Sequence, residues 1–287
     1  RFLILLLVSV FFIVKGSVAA AEQPAGPITE SWAKDPKTGA QVCWVNNNNT
    51  LVSASWSGAV VNGKAEGKGI LTVTIRYNKD GKEIKGEGNG EMKAGKLDGK
   101  ASLKWASNHS YEGDYKGGVQ EGRGIIKWPN GMVYEGELKN NMRSGKGVHK
   151  WANGRIHEGD WENDLPNGQG MSKMGDDSYQ GEWKNGLWEG KGIHKMLDGQ
   201  VYEGDFKNNK MDGKGVYKWP DGQTYEGDFK NGNLNGKGVL KFPKGEIYEG
   251  DMRDGKRDGY GVLKDPDGKV IHDGQWKDGQ RATGQQF

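Results

Sequence analysis

The chain has 287 residues, of which 33% are hydrophobic and 28% charged, with 49 glycines. That hydrophobic share lies below the ~45–50% of globular domains, so a thick core is excluded, while 11 Trp, 10 Tyr and 7 Phe argue against disorder. Formal net charge is +3, and Tyr111 to Gln280 carries 26 Lys and Arg against 29 Asp and Glu, which excludes a polybasic magnet for nucleic acid or anionic lipid.

The first element in chain order is Phe2 to Val14, thirteen residues that are all apolar except Ser9. As a helix they would cover about 20 Å, short of a ~30 Å hydrocarbon core. Small residues at Val18 and Ala20 follow, so residues 1–20 are expected to be a removable signal peptide. The chain would then be secreted or periplasmic; the alternative is an uncleaved N-terminal tether. Residues 21–55 read as a linker and cap that brings Trp32 and Trp44. Cys43 is the only cysteine, so it is either buried and inert or open to pairing with another chain.

From Tyr111 onward one pattern recurs. Tyr111, Tyr134, Tyr179, Tyr202, Tyr225 and Tyr248 each open a Tyr-x-Gly, and His157 and His272 fill the same slot, at intervals of 22 to 24 residues. Such a period marks a repeat array rather than one globular core. In Tyr202 to Thr224, Tyr202, Gly204 and Phe206 alternate with charged residues, as in a strand with one buried face. Asn208 to Asp212 is turn chemistry, and Gly213, Gly215, Tyr217 and Trp219 alternate along a second strand that ends at Pro220-Asp221-Gly222. Each repeat is predicted to be a β-hairpin that pairs with the next. The fold expected is all-β, a single-layer elongated antiparallel meander preceded by an N-terminal signal helix.

Glycines at the third, twelfth and fourteenth positions are expected on the aromatic face, where a missing Cβ lets a ring lie flat over backbone. The twelfth-position set is Gly122, Gly145, Gly168, Gly190, Gly213, Gly236 and Gly259. Glu203 and Asp205 are expected to pair with Lys214 on the opposite face.

Tyr225 to Gly232, Tyr-Glu-Gly-Asp-Phe-Lys-Asn-Gly, followed by Gly236-Lys237-Gly238, resembles the MORN motif (membrane occupation and recognition nexus). Tandem copies run over residues 111–280, with degenerate copies over 56–110 at Trp56-Ser57-Gly58 and Gly90-Glu91-Met92-Lys93, and a tail at 281–287. About nine extra residues within Thr74 to Glu87 are expected to lengthen one hairpin. Val42-Cys43-Trp44 looks like the entry segment of exported bacterial members. The resemblance implies attachment to membranes or phosphoinositides.

Catalytic and metal chemistry find little footing. His149 and His157 face each other across one turn without a third ligand, and Asp160, Glu162 and Asp164 lack the glycine and closing Glu of an EF-hand loop. Gly190-Lys191 is not followed by Ser or Thr, so no phosphate loop is present. The chain is therefore expected to be non-enzymatic, without cofactor or metal and without a nucleic-acid partner; the enzymatic domains of some members have no room after the last copy.

The expected function is an exported scaffold for an unknown protein or envelope component. Its groove would be lined by Tyr111, Tyr115, Trp128, Tyr134, Trp151, Trp161, Tyr179, Trp183, Tyr202, Phe206, Tyr217, Trp219, Tyr225, Phe229, Phe242 and Tyr248. The same rings could instead pack only on glycine backbone and on each other. Peripheral binding to a membrane or anionic phospholipid is the alternative function. A homodimer through the unpaired C-terminal edge is a further expectation.

Overall fold

The computed structural model describes residues 28–46 and 49–282 and divides the chain into two compact units, residues 1–99 with 117–119 and residues 100–116 with 120–287. The expected signal helix and the final tail residues, 283–287, lie outside the described residues. Every regular element among the described residues is a strand.

The first unit contains β1 (Thr29–Lys34), β2 (Gln41–Asn46), β3 (Asn49–Trp56), β4 (Ala59–Val61), β5 (Lys64–Tyr77) and β6 (Glu83–Lys93). β1 and β2 form an antiparallel hairpin. Its link is organised by buried Asp35, whose carboxylate accepts the Lys37 N–H (2.8 Å), the Thr38 hydroxyl (2.8 Å) and the Trp56 N–H (3.0 Å). A buried carboxylate needs such donors, because desolvation without them costs several kcal/mol. Trp44 is buried and donates its indole N–H to Asn49 Oδ1 at 2.7 Å, whereas Trp32 stays 42% exposed. β5 and β6 pair from Gly67 with Met92 to Arg76 with Glu83. The extra residues do lengthen this hairpin.

β7 (Lys96–Trp105) begins in the first unit and runs into the second. There follow β8 (Ser110–Lys116), β9 (Val119–Lys127), β10 (Val133–Lys139), β11 (Met142–Lys150), β12 (Ile156–Glu162), β13 (Leu165–Met174), β14 (Asp177–Lys184), β15 (Leu187–Lys195) and β16 (Val201–Lys207). The array closes with β17 (Lys210–Lys218), β18 (Thr224–Lys230), β19 (Asn233–Lys241), β20 (Ile247–Arg253), β21 (Lys256–Lys264), β22 (Val270–Lys277) and β23 (Gln280–Arg281). From β10 to β23 each strand is antiparallel to its predecessor in sequence, so the second unit is the expected single-layer meander of hairpins.

Two local features differ from the alternation pattern. The turn of the Tyr202 repeat is only Asn208-Asn209, with φ of 49° and 65°, the paired left-handed values of a type I′ turn. β17 therefore starts at Lys210, and Met211 is buried opposite Phe206. The second difference concerns the twelfth-position glycine. Gly204 pairs with Gly215 and Phe206 with Met211, which leaves residues 212–214 to bulge opposite Asp205. Gly213 sits in that bulge at φ +122°, where an added Cβ would come within 2.7 Å of Asp205 Cβ. It does not floor a ring, and neither do its equivalents Gly122, Gly145, Gly168, Gly190, Gly236 and Gly259, whose φ is also positive and whose nearest neighbours are acidic side chains.

Candidate functional site

One face of the second unit is built on the leading tyrosines. The third- and fourteenth-position glycines make room for them: a Cβ on Gly215 would stand 2.5 Å from Tyr202 Cε2. The Tyr202 hydroxyl ends over its own strand and donates to the Asp205 carbonyl at 3.0 Å. Tyr111, Tyr134, Tyr179, Tyr225 and Tyr248 make the same bond at 2.8 to 3.2 Å. Fifth-position rings meet them edge to face. Tyr202 lies 5.0 Å from Phe206 and 4.8 Å from Phe229 of the next repeat, and Tyr179 lies 5.3 Å from Trp183 and 5.1 Å from Phe206. Such pairs add about 0.5–1.5 kcal/mol beyond their buried area.

The consequence for the sixteen candidate residues is a division of labour. Tyr111, Tyr115, Tyr134, Trp161, Tyr179, Trp183, Tyr202, Phe206, Tyr217, Tyr225, Phe229 and Tyr248 are buried. Burial raises the phenol of Tyr225 to about 12, so these hydroxyls stay protonated. Trp128, Trp151, Trp219 and Phe242, the eighteenth-position rings, are half-buried and present an edge to solvent. Met174 and Met196 occupy the same slot in the intervening repeats. Successive members of this row are two strands apart, about 9.6 Å.

The opposite, plain face carries a zigzag of charge that was only partly legible. Asp205 Oδ2 accepts the backbone N–H of Lys214 at 2.9 Å, capping the bulge, while Asp205 Oδ1 takes the ammonium of Lys191 from the preceding repeat at 2.6 Å. The Lys214 ammonium goes forward to Asp228 (2.6 Å), and that of Lys237 to Asp251 (2.9 Å). The expected Asp205–Lys214 ion pair is thus shifted by one repeat, because the bulge turns the Lys214 side chain toward the following strand. The Lys214 hydrogen bond, before all other influences, holds Asp228 below the usual carboxylate range.

Beside the zigzag, aliphatic and acidic residues alternate across the strands: Val216 pairs in register with Glu203 and Glu226, and Val239 with Glu226 and Glu249. Glycine backbone, from Gly181 to Gly250, floors a shallow trough there, walled by Ile193, Val216, Val239, Glu203 and Glu226 and by Lys191, Lys214 and Lys237. A further row, Lys127, Lys150, Lys173, Lys195, Lys218 and Lys241, lies at or next to the end of each second strand without an ion-pair partner among the described residues; Lys264 reaches Glu249 at 3.4 Å. Sequence reading missed this row because summing charge over the array hides a local alignment.

Among the described residues no three metal-ligating side chains converge. Asp160 is held by Lys146 (2.5 Å) and the Gln169 N–H (2.8 Å), and Asp164 by Arg143 (3.0 Å), so both have structural partners. His149 and His157 are register partners on β11 and β12. No helix among the described residues is long and apolar enough to cross a membrane.

The MORN repeat family model matches residues 56–72, 89–110, 111–133, 134–154, 157–176, 179–201, 202–224, 225–247, 248–270 and 272–282. No curated protein matches the chain. Among solved structures, the TCP domain of SAS-4 (dCPAP) of Drosophila melanogaster, in complex with a proline-rich motif of Ana2 (dSTIL), is similar over 60% of this chain and 86% of its own, with 15% identity and a TM-score of 0.34.

Proposed function

The chain belongs to the MORN repeat family, and from that premise we propose that it is an exported, non-enzymatic scaffold that holds an extended partner along its row of half-buried rings. The observation that carries this reading is the split on the ring face: buried tyrosines hold the sheet together, while Trp128 and Trp151, and again Trp219 and Phe242, keep accessible edges one repeat apart, with Met174 and Met196 filling the slots between the two pairs. Aromatic anchors in regular array suit an extended chain, and aromatic residues carry much of the energy at many interfaces. Export rests on the apolar stretch from Phe2 to Val14. The test is a pull-down from the exporting cell's envelope fraction with the wild type and a Trp219→Ala/Phe242→Ala variant, which leaves the Trp151 ring over His149 in place. Proteins retained by the wild type should be lost from the variant while its melting temperature changes little. Equal retention by both, or a collapse of the fold, would remove the ring row as the binding surface.

A second reading is favoured by the lysine row on the plain face. Six lysines without an ion-pair partner among the described residues, one per hairpin, offer an anionic phospholipid surface about 1 kcal/mol each when close to it. Flotation with phosphatidylserine vesicles at physiological salt should then be abolished by Lys150→Glu, Lys195→Glu and Lys218→Glu together. No flotation of the wild type would end this reading and leave the first untouched.

A further inference from the structure

We propose that His149 and His157 form an acid-sensitive break point in the array, where proton uptake opens β11, β12 and β13 before the repeats that follow. The observation is a local failure of the pattern that holds elsewhere. In six repeats the leading position is a tyrosine whose hydroxyl bonds the carbonyl three residues on. At His157 the ring is fully buried, and neither Nδ1 nor Nε2 has a hydrogen-bond partner. Its register partner His149 is also buried, sandwiched between Trp128 (5.4 Å, interplanar 0°) and Trp151 (4.2 Å, interplanar 4°). His149 Nε2 is likewise without a partner. Unpartnered buried polar atoms are uncommon and each weakens the fold locally.

Arg143 fixes the protonation state. Its Nη1 lies 2.5 Å from His149 Nδ1, and a guanidinium can only donate, so Nδ1 must be the bare, accepting nitrogen. A proton on Nδ1 would set two donors against each other and place a second cation beside the first. From β11 and its following turn the histidines face Arg143 and Arg155, from β10 Tyr134, and from β12 Trp161. β13 supplies Ser172, which accepts from Arg155 Nε at 2.9 Å, and β14 supplies Trp183 and the carboxylate of Asp177. Asp164, in the β12–β13 turn, is engaged by Arg143. Asp164 is thus directed at Arg143, and Asp177 meets His194 at 3.3 Å while also favouring the charged form of Arg155. No acidic group pairs with the imidazole of His149 or His157 among the described residues.

Burial first, and then Arg143, pushes His149 down to about 3; burial and then Arg155 push His157 down to about 4. Both lie below the ordinary 6.5, so the opened strands bind protons that the closed ones refuse. Their contribution to stability is present above pH 6.5 and is lost as pH drops through the interval down to about 4 for His157 and about 3 for His149.

Amide exchange with protection factors taken at pH 7.5 and pH 5.0 tests this. Residues 143–172 should lose about thirtyfold protection per histidine, and residues 202–248 much less. His157→Tyr restores the ring used by the other repeats over Gly159 and Gly170, and His149→Leu copies Leu240 and Leu263. Each variant should fold and abolish about one thirtyfold factor. Equal loss of protection in both segments, or the wild-type pH profile in whichever variant folds, would overturn the proposal.

Discussion

The hydroxyl of Tyr202 donates to the carbonyl oxygen of Asp205, 3.0 Å away, and in doing so pins the ring against the backbone of Gly215. Hydrogen bond and close approach can be separated by mutation. Tyr202→Phe should cost about 0.5–1.5 kcal/mol, the usual worth of one such bond. Gly215→Ala should cost about 1–3 kcal/mol, because the new methyl has no space beside the ring. Urea unfolding of the two variants measures both, and a neutral Gly215→Ala would contradict the packing described.

The carboxylate zigzag gives a pH response distinct from that of the histidines. Asp228 and Asp251 are held below the usual carboxylate range, chiefly by Lys214 and Lys237. A depressed carboxylate contributes stability that is present above its unfolded pKa, about 3.9, and is lost as pH falls through the folded value. Loss of this part should therefore appear only below about pH 4. Asp228→Asn keeps an oxygen to accept the Lys237 N–H and loses an exposed ion pair, for which the expected cost is under about 1 kcal/mol. Asp228→Ala removes the cap as well and should cost more in thermal melts.

Asn209 combines φ of 65° with a side chain that accepts the Trp188 N–H at 2.7 Å. Asn209→Ala loses both the tolerance for a left-handed backbone and that bond, so a loss of about 1–3 kcal/mol is expected. Asn209→Gly keeps the backbone and should fall between wild type and Ala. The order of the three melting temperatures checks the turn assignment.

Cys43 is buried, and desolvation followed by the Glu30 carboxylate pushes its thiol up to about 11. Thiolate is the reactive form. The native chain should resist iodoacetamide at pH 8 and be modified promptly in urea, as read by intact mass. Rapid native alkylation would place the thiol elsewhere.

The two-residue alternation around Tyr202 and Phe206, the hairpin order and the ring-on-glycine contact were all legible in the sequence, because each follows from spacing alone. Gly213 was misplaced on the ring face because its bulge depends on a carboxylate nine residues upstream catching the Lys214 N–H. The ion partner of Lys214 was misjudged by one repeat for the same reason. The sequence also pointed to His149 and His157 as neighbours but not to their unpartnered nitrogens, since these depend on where Arg143 and the surrounding tryptophans come to rest. The division between buried tyrosines and accessible eighteenth-position rings needed coordinates: both are aromatic residues on the same face.

The forward reach of each lysine makes copy number adjustable. Excising residues 202–224 as a block would join Val201 to Tyr225 and offer Lys191 the carboxylate of Asp228 in place of Asp205, an almost identical handshake. Duplicating the same block would extend the array by the same rule. A lineage can therefore lengthen or shorten such a chain by whole units, tailoring its reach without redesigning a single junction.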